Sequence, residues 1–508
     1  MSIFTHVASS KPKSSKFDLS HERKLSFNMG ELVPMVVEEI LPGDRFKINT
    51  EVMIRLAPML APIMHRVNVF THYFFVPNRL VWDGWETFIT GGEDGLQTAV
   101  WPHMQPNAVS QIGTGTLSDY MGIPVRDTTV TNVPDISALP FRAYQLIYNE
   151  YYRDQNLTPE VAFSKAGGAQ TGAQTSLITT LQRRAWEKDY FTSALPWPQR
   201  GDTVTMPGNV QYKESPDPTV FTADGTDTPI TTAGAVTNTA TSQLNVTGHA
   251  GVVNIQNIES LGITITDLRN AVRLQEWLEK NARGGSRYIE QILSHFGVES
   301  SDARLQRPEY LGGGKSPITI SEVLQTSETS GTAQGNMSGH GIGVGRSHGF
   351  TRRFEEHGFV IGIMSVLPRT AYQQGLHRKF TREDKFDYYW PEFQHIGEQQ
   401  ILNKELYFDY TTGTPEDNDA EFGYTPRFAE YKYGCDSVHG DFRGSLDFWH
   451  MGRIFTSAPA LNTSFVESNP THRIFANTDP TDDKLWCQLY NKISAIRPMS
   501  YHGKPRLV

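Results

Sequence analysis

Cysteine is almost missing from this chain, with only Cys435 and Cys487 in 508 residues. Two are too few for a disulfide framework, so the reading is reduced thiols, with a single bridge between them left open. Long apolar runs are lacking too. No stretch approaches the roughly 18 to 20 residues of a membrane span, and the opening MSIFTHVASSKPKSS has no apolar core of signal-peptide length. Both absences point to a product made and used in the cytoplasm with no membrane partner. Basic residues are in deficit, 46 Lys and Arg against 55 Asp and Glu, for a formal net charge of −9. Phosphate affinity comes mainly from clustered Lys and Arg, so such a chain does not suit coating nucleic acid by itself. No fixed-period repeat is present.

Signatures of chemistry are equally sparse. Gly345-Arg346-Ser347-His348-Gly349 matches GxSxG, but that elbow needs a strand before the Ser and a helix after it. Here the flanks are Gly-rich before and charged after. Gly314-Lys315-Ser316 resembles the end of a phosphate-binding loop, yet Glu309 stands where its first Gly belongs. The glycines from 339 to 345 miss the dinucleotide spacing at Arg346. Sixteen histidines form no HExxH, and the cysteines form no CxxC. His65 and His72 lie seven apart, which on an extended chain faces them oppositely, so they read as ordinary hydrogen-bonded or surface histidines. The sequence nominates no catalytic residue, no metal ligand and no cofactor.

What the chain does have is turn formers and rings: Gly 43, Pro 29, Tyr 20 and Phe 27 favour short strands joined by long loops. Length alone would allow two to four domains at roughly 150 residues each. Residues 1–30 carry Lys11, Lys13, Lys16, Arg23 and Lys24 against Asp18 and Glu22, and read as a weakly ordered basic arm. It is either solvated or laid along a partner subunit or a phosphate backbone. Residues 31–82 read as three antiparallel strands opening a sandwich, with alternation at Phe46, Ile48, Thr50, Val52 and Ile54 and again from Val67 to Phe75. Residues 83–200 read as an irregular insertion with aromatic clusters and a short helix near 141–152. Residues 201–260, rich in Thr, Ala and Gly, are expected to form a surface projection of small hairpins. A strand over 318–327, a Gly-rich loop to about 349, a buried strand over 357–369, and strands at ELYFDY and HRIFANT complete the expectation. A basic cluster, Arg346, Arg352, Arg353, Arg369, Arg378, Lys379 and Arg382, either pairs with Glu355, Glu356, Glu383 and Asp384 or meets phosphate or a neighbouring subunit.

Residues 267–313 read as two helices and a fixed exit. Thr266 or Asp267 caps the first, Gly284-Gly285 ends it, and Ser286 caps the second. Gly297 falls at its left-handed C-cap, and each helix is expected to bury one apolar stripe. The stretch RLQEWLEKNARGGSRYIEQILSHFGVESSDARLQRPEYLGG closely resembles the major capsid proteins of the Microviridae, the small icosahedral single-stranded DNA phages. THYFFVPNRLVWDGWETFITGG and HGFVIGIMSVLPRTAYQQGLHR resemble the same family, and the layout is most similar to its gokushovirus branch.

That resemblance implies an all-β fold, an eight-stranded antiparallel jelly roll with long loop insertions and a few short helices, in one coat domain over 31–508. It implies sixty copies in a T=1 shell around circular single-stranded DNA, with 201–260 as a threefold protrusion and 267–297 as a helical insert. It also implies partners: a small basic DNA-binding protein, an internal scaffolding protein, a minor pilot protein and a host-cell receptor, a saccharide among the candidates. The virion would be assembled in the bacterial cytoplasm. Lys11, Lys13, Lys16, Arg23, Lys24, Arg352 and Arg353 are the candidate nucleic-acid or subunit contacts. The rival reading is a β-sandwich carbohydrate-binding protein or glycoside hydrolase.

Overall fold

Alternation of apolar and polar residues builds the sandwich, and a computed structural model places its strands. It describes residues 13–93, 96–126, 128, 133–202, 204, 265–285, 287–328, 334–410 and 415–502, with four short strands between 219 and 246. In chain order the sandwich strands are β1 (Ser15–Asp18), β2 (His21–Phe27), β3 (Val33–Ile40), β4 (Arg45–Leu56), β5 (Val67–Pro77), β6 (Glu309–Pro317), β7 (Thr319–Leu324), β8 (Met337–Arg346), β9 (Phe350–Arg353), β10 (Gly358–Pro368) and β11 (Leu485–Arg497). In the first sheet β1 and β2 both pair with β11, β11 with β4, β4 with β8 and β9, and β8 with β7. The second sheet runs β6-β5-β10-β3. All these pairings are antiparallel.

The strands expected over 31–82 are present, but they do not pair with one another. β3 and β5 flank β10 in the second sheet, while β4 lies in the first. The chain therefore crosses the sandwich at each early connection, and the two sheets share one interior. Phe27, Ile48, Ile54, Tyr73, Val360, Met364, Leu489 and Ile493 are fully or almost fully buried there. β5 and β6 are neighbours although residues 78–308 intervene.

Part of that intervening chain covers the second sheet. Helix α1 (Leu139–Ile147) runs into a π-turn, Tyr148–Tyr152. Phe141, Tyr144, Ile147, Tyr148 and Tyr152 pack with Trp82 against Phe74, Val76, Ile361 and Ile363, on the side of β5 and β10 away from the sandwich core. Hence both strands are buried at nearly every position, as expected of strands covered on two faces.

Several expectations need correcting. Ser15–Asp18 and His21–Phe27 of the basic arm are strands, because β1 and β2 complete the first sheet by bonding to β11. The Gly-rich stretch before residue 349 is largely strand β8. Its glycines let the chain press against its neighbours: a Cβ on Gly339 would stand 2.3 Å from Ala61 O and one on Gly341 1.9 Å from Leu56 Cδ1. Gly312-Gly313-Gly314 likewise lie within β6. Neither ELYFDY nor HRIFANT forms a strand: Asn403–Leu406 is one helical turn, and in the second segment only Phe475 pairs, in an isolated bridge to Met59. The longest strand, β11, takes their place at the C-terminal end.

The chain divides into two compact units, Met1–Pro198 with Ala282–Val508, which holds both sheets, and Gln199–Asn281. In the smaller unit Thr219–Phe221 pairs with Asp227–Pro229, and Val236–Thr239 with Gln243–Val246. Other details of 205–264, the expected projection, lie outside the described residues. Helix α2 (Ile265–Gly284) stops at Gly284-Gly285 as expected, but Thr266 and Asp267 lie inside its first turn rather than capping it. Helix α3 (Tyr288–Phe296) closes on Gly297 at φ 67°, whose N–H donates to Leu293 O. Its N-cap position is Arg287, whose N–H donates to Glu290, and not the expected Ser286, which lies outside the described residues. Neither apolar stripe is buried: Leu268, Val272, Leu274 and Trp277 on α2, and Leu293 and Phe296 on α3, are all exposed.

Candidate nucleic-acid interface

The two sheets differ in what lies over their outer faces. The second is covered on both sides, whereas β4 and β11 alternate strictly between buried and open positions. The interior positions of the first sheet face the core, and the opposite face meets solvent.

Register places the open side chains in cross-strand rows. Ser26, Trp486, Arg55 and Ile342 form one row, and Lys24, Gln488, Met53 and Val344 the next. Glu22, Tyr490, Glu51 and Arg346 form a third. Lys492 lies opposite Asn49, Asp18 and Ser494 align with Lys47, and Lys16 and Ile496 with Arg45 and Arg353. Among the described residues the face thus carries Lys16, Lys24, Arg45, Lys47, Arg55, Arg346, Arg353 and Lys492 against Asp18, Glu22 and Glu51. All eight cations are exposed. In a chain of net charge −9 this is a local reversal of sign.

Few of these charges are spent internally. Arg346 meets Glu51 at 2.6 Å and Lys24 is 4.0 Å from Glu22. The Ser20 hydroxyl and amide, with Lys16 and Lys492 nearby, hold the Asp18 carboxyl below the usual carboxylate range. Arg45, Lys47, Arg55, Arg353 and Lys492 make no ion pair among the described residues. A face on which cations outnumber carboxylates and five are unpaired is an electrostatic footprint for a phosphate backbone.

The sequence-nominated contacts divide accordingly. Lys16, Lys24 and Arg353 share the open face, and Lys13 is exposed just before β1. Lys11 lies outside the described residues. Arg23 is turned away: its guanidinium donates to Pro34 O at 3.3 Å and Tyr120 O at 2.5 Å, and burial lowers its pKa. Arg352 stands opposite Phe46 in register and pairs with Glu309 at 3.1 Å. Arg45, Lys47, Arg55 and Lys492 were not singled out, although RFKINTEVMIR shows the first three at alternating positions.

The match to known proteins spans nearly the whole chain. Residues 5–507 fit the family described as Capsid protein (F protein). The chain belongs to this phage capsid protein family. Capsid protein VP1 of Chlamydia phage 1 is 37% identical over 99% of this chain and 97% of its own. That of Bdellovibrio phage phiMH2K is 38% identical over the same shares. That of Spiroplasma virus 4 is 32% identical over 97% of this chain and 95% of its own. The resemblance to Microviridae major capsid proteins is therefore upheld, and the mostly-β sandwich is consistent with a viral capsid.

In this capsid protein the motifs that resembled active sites are structural. Ser347 is buried, exchanges a 2.7 Å hydrogen bond with the Tyr73 hydroxyl and accepts one from Thr50 N. Strand β9, not a helix, follows it. Lys315 lies in mid-strand and pairs with Glu187. His65 bonds to Arg369 O and His72 to the Tyr152 hydroxyl. Both thiols are free, Cys435 exposed and Cys487 buried. The basic cluster pairs with other carboxylates than those nearest in sequence: Arg369 with Asp436, Arg378 with Glu405 and Arg382 with Glu430.

Proposed function

We propose that this major capsid protein assembles as sixty copies into a T=1 shell around circular single-stranded DNA, with the open face of the first sheet turned toward the genome. The charge asymmetry of the sandwich carries this reading: an acidic chain concentrates unpaired cations on one uncovered face. β2, β3, β4, β5, β6, β8, β10 and β11 are read as the eight strands of a jelly roll. In support, the chain alternates between sheets and β5 and β6 adjoin across a long insertion.

Exposed rings and helix stripes supply the grip between copies. Phe296 is 79% exposed, Phe380 69% and Ile396 63%, and permanent assemblies bury such surface. Residues 201–260 are assigned to a threefold protrusion. A small basic protein would neutralise the genome charge that one sheet face leaves unmatched. Scaffolding, pilot and receptor contacts complete the assignment, with assembly in the host cytoplasm and no reaction catalysed.

Electron microscopy of the expressed full-length protein tests this. Round particles a few tens of nanometres across are expected, and monomers alone, with or without scaffold, would reject it. Deleting the arm to residue 24 is a poor probe of genome contact, because it removes β1 and half of β2.

A further inference from the structure

We infer that Trp486 and Tyr490 are base-stacking positions that make the open face select single-stranded over duplex nucleic acid. The inference deepens the genome-facing reading and rests on it.

Both rings project from β11, which lies inside the first sheet between β2 and β4. Trp486 is 49% exposed and Tyr490 38%, on a face whose other members are mostly Lys, Arg, Gln and Ser. Among the described residues neither ring stacks on another ring or lies under a cation. Each ring leaves much of its apolar surface open to a partner. Arg55 is directly opposite Trp486, and Lys24 and Lys492 stand on the rows beside Tyr490, which itself lies between Glu22 and Glu51, the latter paired with Arg346. Four residues apart on one side of a strand, the rings are about 13 Å from each other.

Unpaired cations attract any phosphate chain, single or double. Flat rings distinguish the two, because a duplex hides its base faces within its own stack and a single strand offers them. Ring and cation together thus match single-stranded nucleic acid without regard to sequence.

The test is fluorescence anisotropy of the full-length protein with a labelled single-stranded oligonucleotide and a duplex of equal length, across a salt series. Trp486→Leu and Tyr490→Leu should each weaken single-strand binding about tenfold, with duplex affinity and salt slope unchanged. Trp486→Phe, which keeps a ring, should retain the preference. Arg55→Gln and Lys492→Gln should weaken both ligands and flatten the salt slope by roughly one charge each. Equal loss on both ligands from the ring variants, or no loss, overturns the stacking role while leaving the genome-facing reading intact. Ring variants that block assembly with unchanged DNA affinity also overturn it, in favour of a subunit contact. If the unaltered protein binds neither ligand, the genome-facing reading fails first. Matching thermal midpoints would show that the variants are folded.

Discussion

The Tyr73 hydroxyl lies 2.7 Å from Thr50 Oγ1, so a strand of one sheet is hydrogen-bonded to a strand of the other through the apolar core. Thr50 passes the bond on to Asn491 Oδ1 at 2.8 Å, and Asn491 Nδ2 returns across the sandwich to Met35 O at 3.0 Å. A buried polar chain of this kind is stabilising only when each member is satisfied. It ties β4, β5 and β11 together at a single register.

Tyr73→Phe should accordingly lower stability by about 1 to 3 kcal/mol, because Thr50 and Ser347 each lose a buried partner. Denaturant unfolding of the unassembled protein should show a lower midpoint at unchanged slope.

Gly339→Ala should abolish soluble protein or lower its thermal midpoint sharply, since the new Cβ would press on the Ala61 carbonyl and cannot be relieved by a side-chain rotation. Gly434→Ala, where nothing lies within 4 Å, should leave the midpoint unchanged.

Stability should fall in acid through His72. Burial, with the Arg184 guanidinium nearby, lowers its pKa from 6.5 to about 4. The unfolded chain then binds a proton that the folded one refuses, so this contribution is complete above the unfolded pKa and is lost as pH falls from 6.5 toward 4. His72→Gln should flatten the dependence in that window, as measured by unfolding midpoints at pH 4.5 and 7.5.

Arg23 and its neighbour Lys24 should behave oppositely despite their shared charge. Arg23→Ala strands the carbonyls of Pro34 and Tyr120 and should cost about 1 to 3 kcal/mol. Lys24→Ala, exposed and 4.0 Å from Glu22, should stay within about 0.5 kcal/mol. Parallel thermal melts decide between them.

Local grammar was legible wherever one residue's neighbours in sequence are also its neighbours in space. The alternation at Phe46, Ile48, Thr50, Val52 and Ile54 announced β4, and Gly297 announced the end of α3. The aromatic clusters of the insertion are visible in the sequence, but the face of β5 and β10 they pack on is not. The same alternation runs through Leu485, Cys487, Leu489, Ile493 and Ala495, and β11 could have been found from it. Gly-rich β8 could not, because glycine has no side chain to show a face, and its strand conformation comes from β4 and β7 holding it on either side.

By itself, then, the sequence determined the capsid family, a mostly-β class, the strongest strands and where helices α2 and α3 stop, since these rest on side-chain patterns a few residues long. Tertiary structure alone decided which sheet stays uncovered. It also brought Lys16, Arg45, Arg353 and Lys492 onto one surface and spent Arg23 inside the fold. Those outcomes depend on pairing between segments hundreds of residues apart, and shifting the register by a single residue would send every one of those side chains to the opposite face.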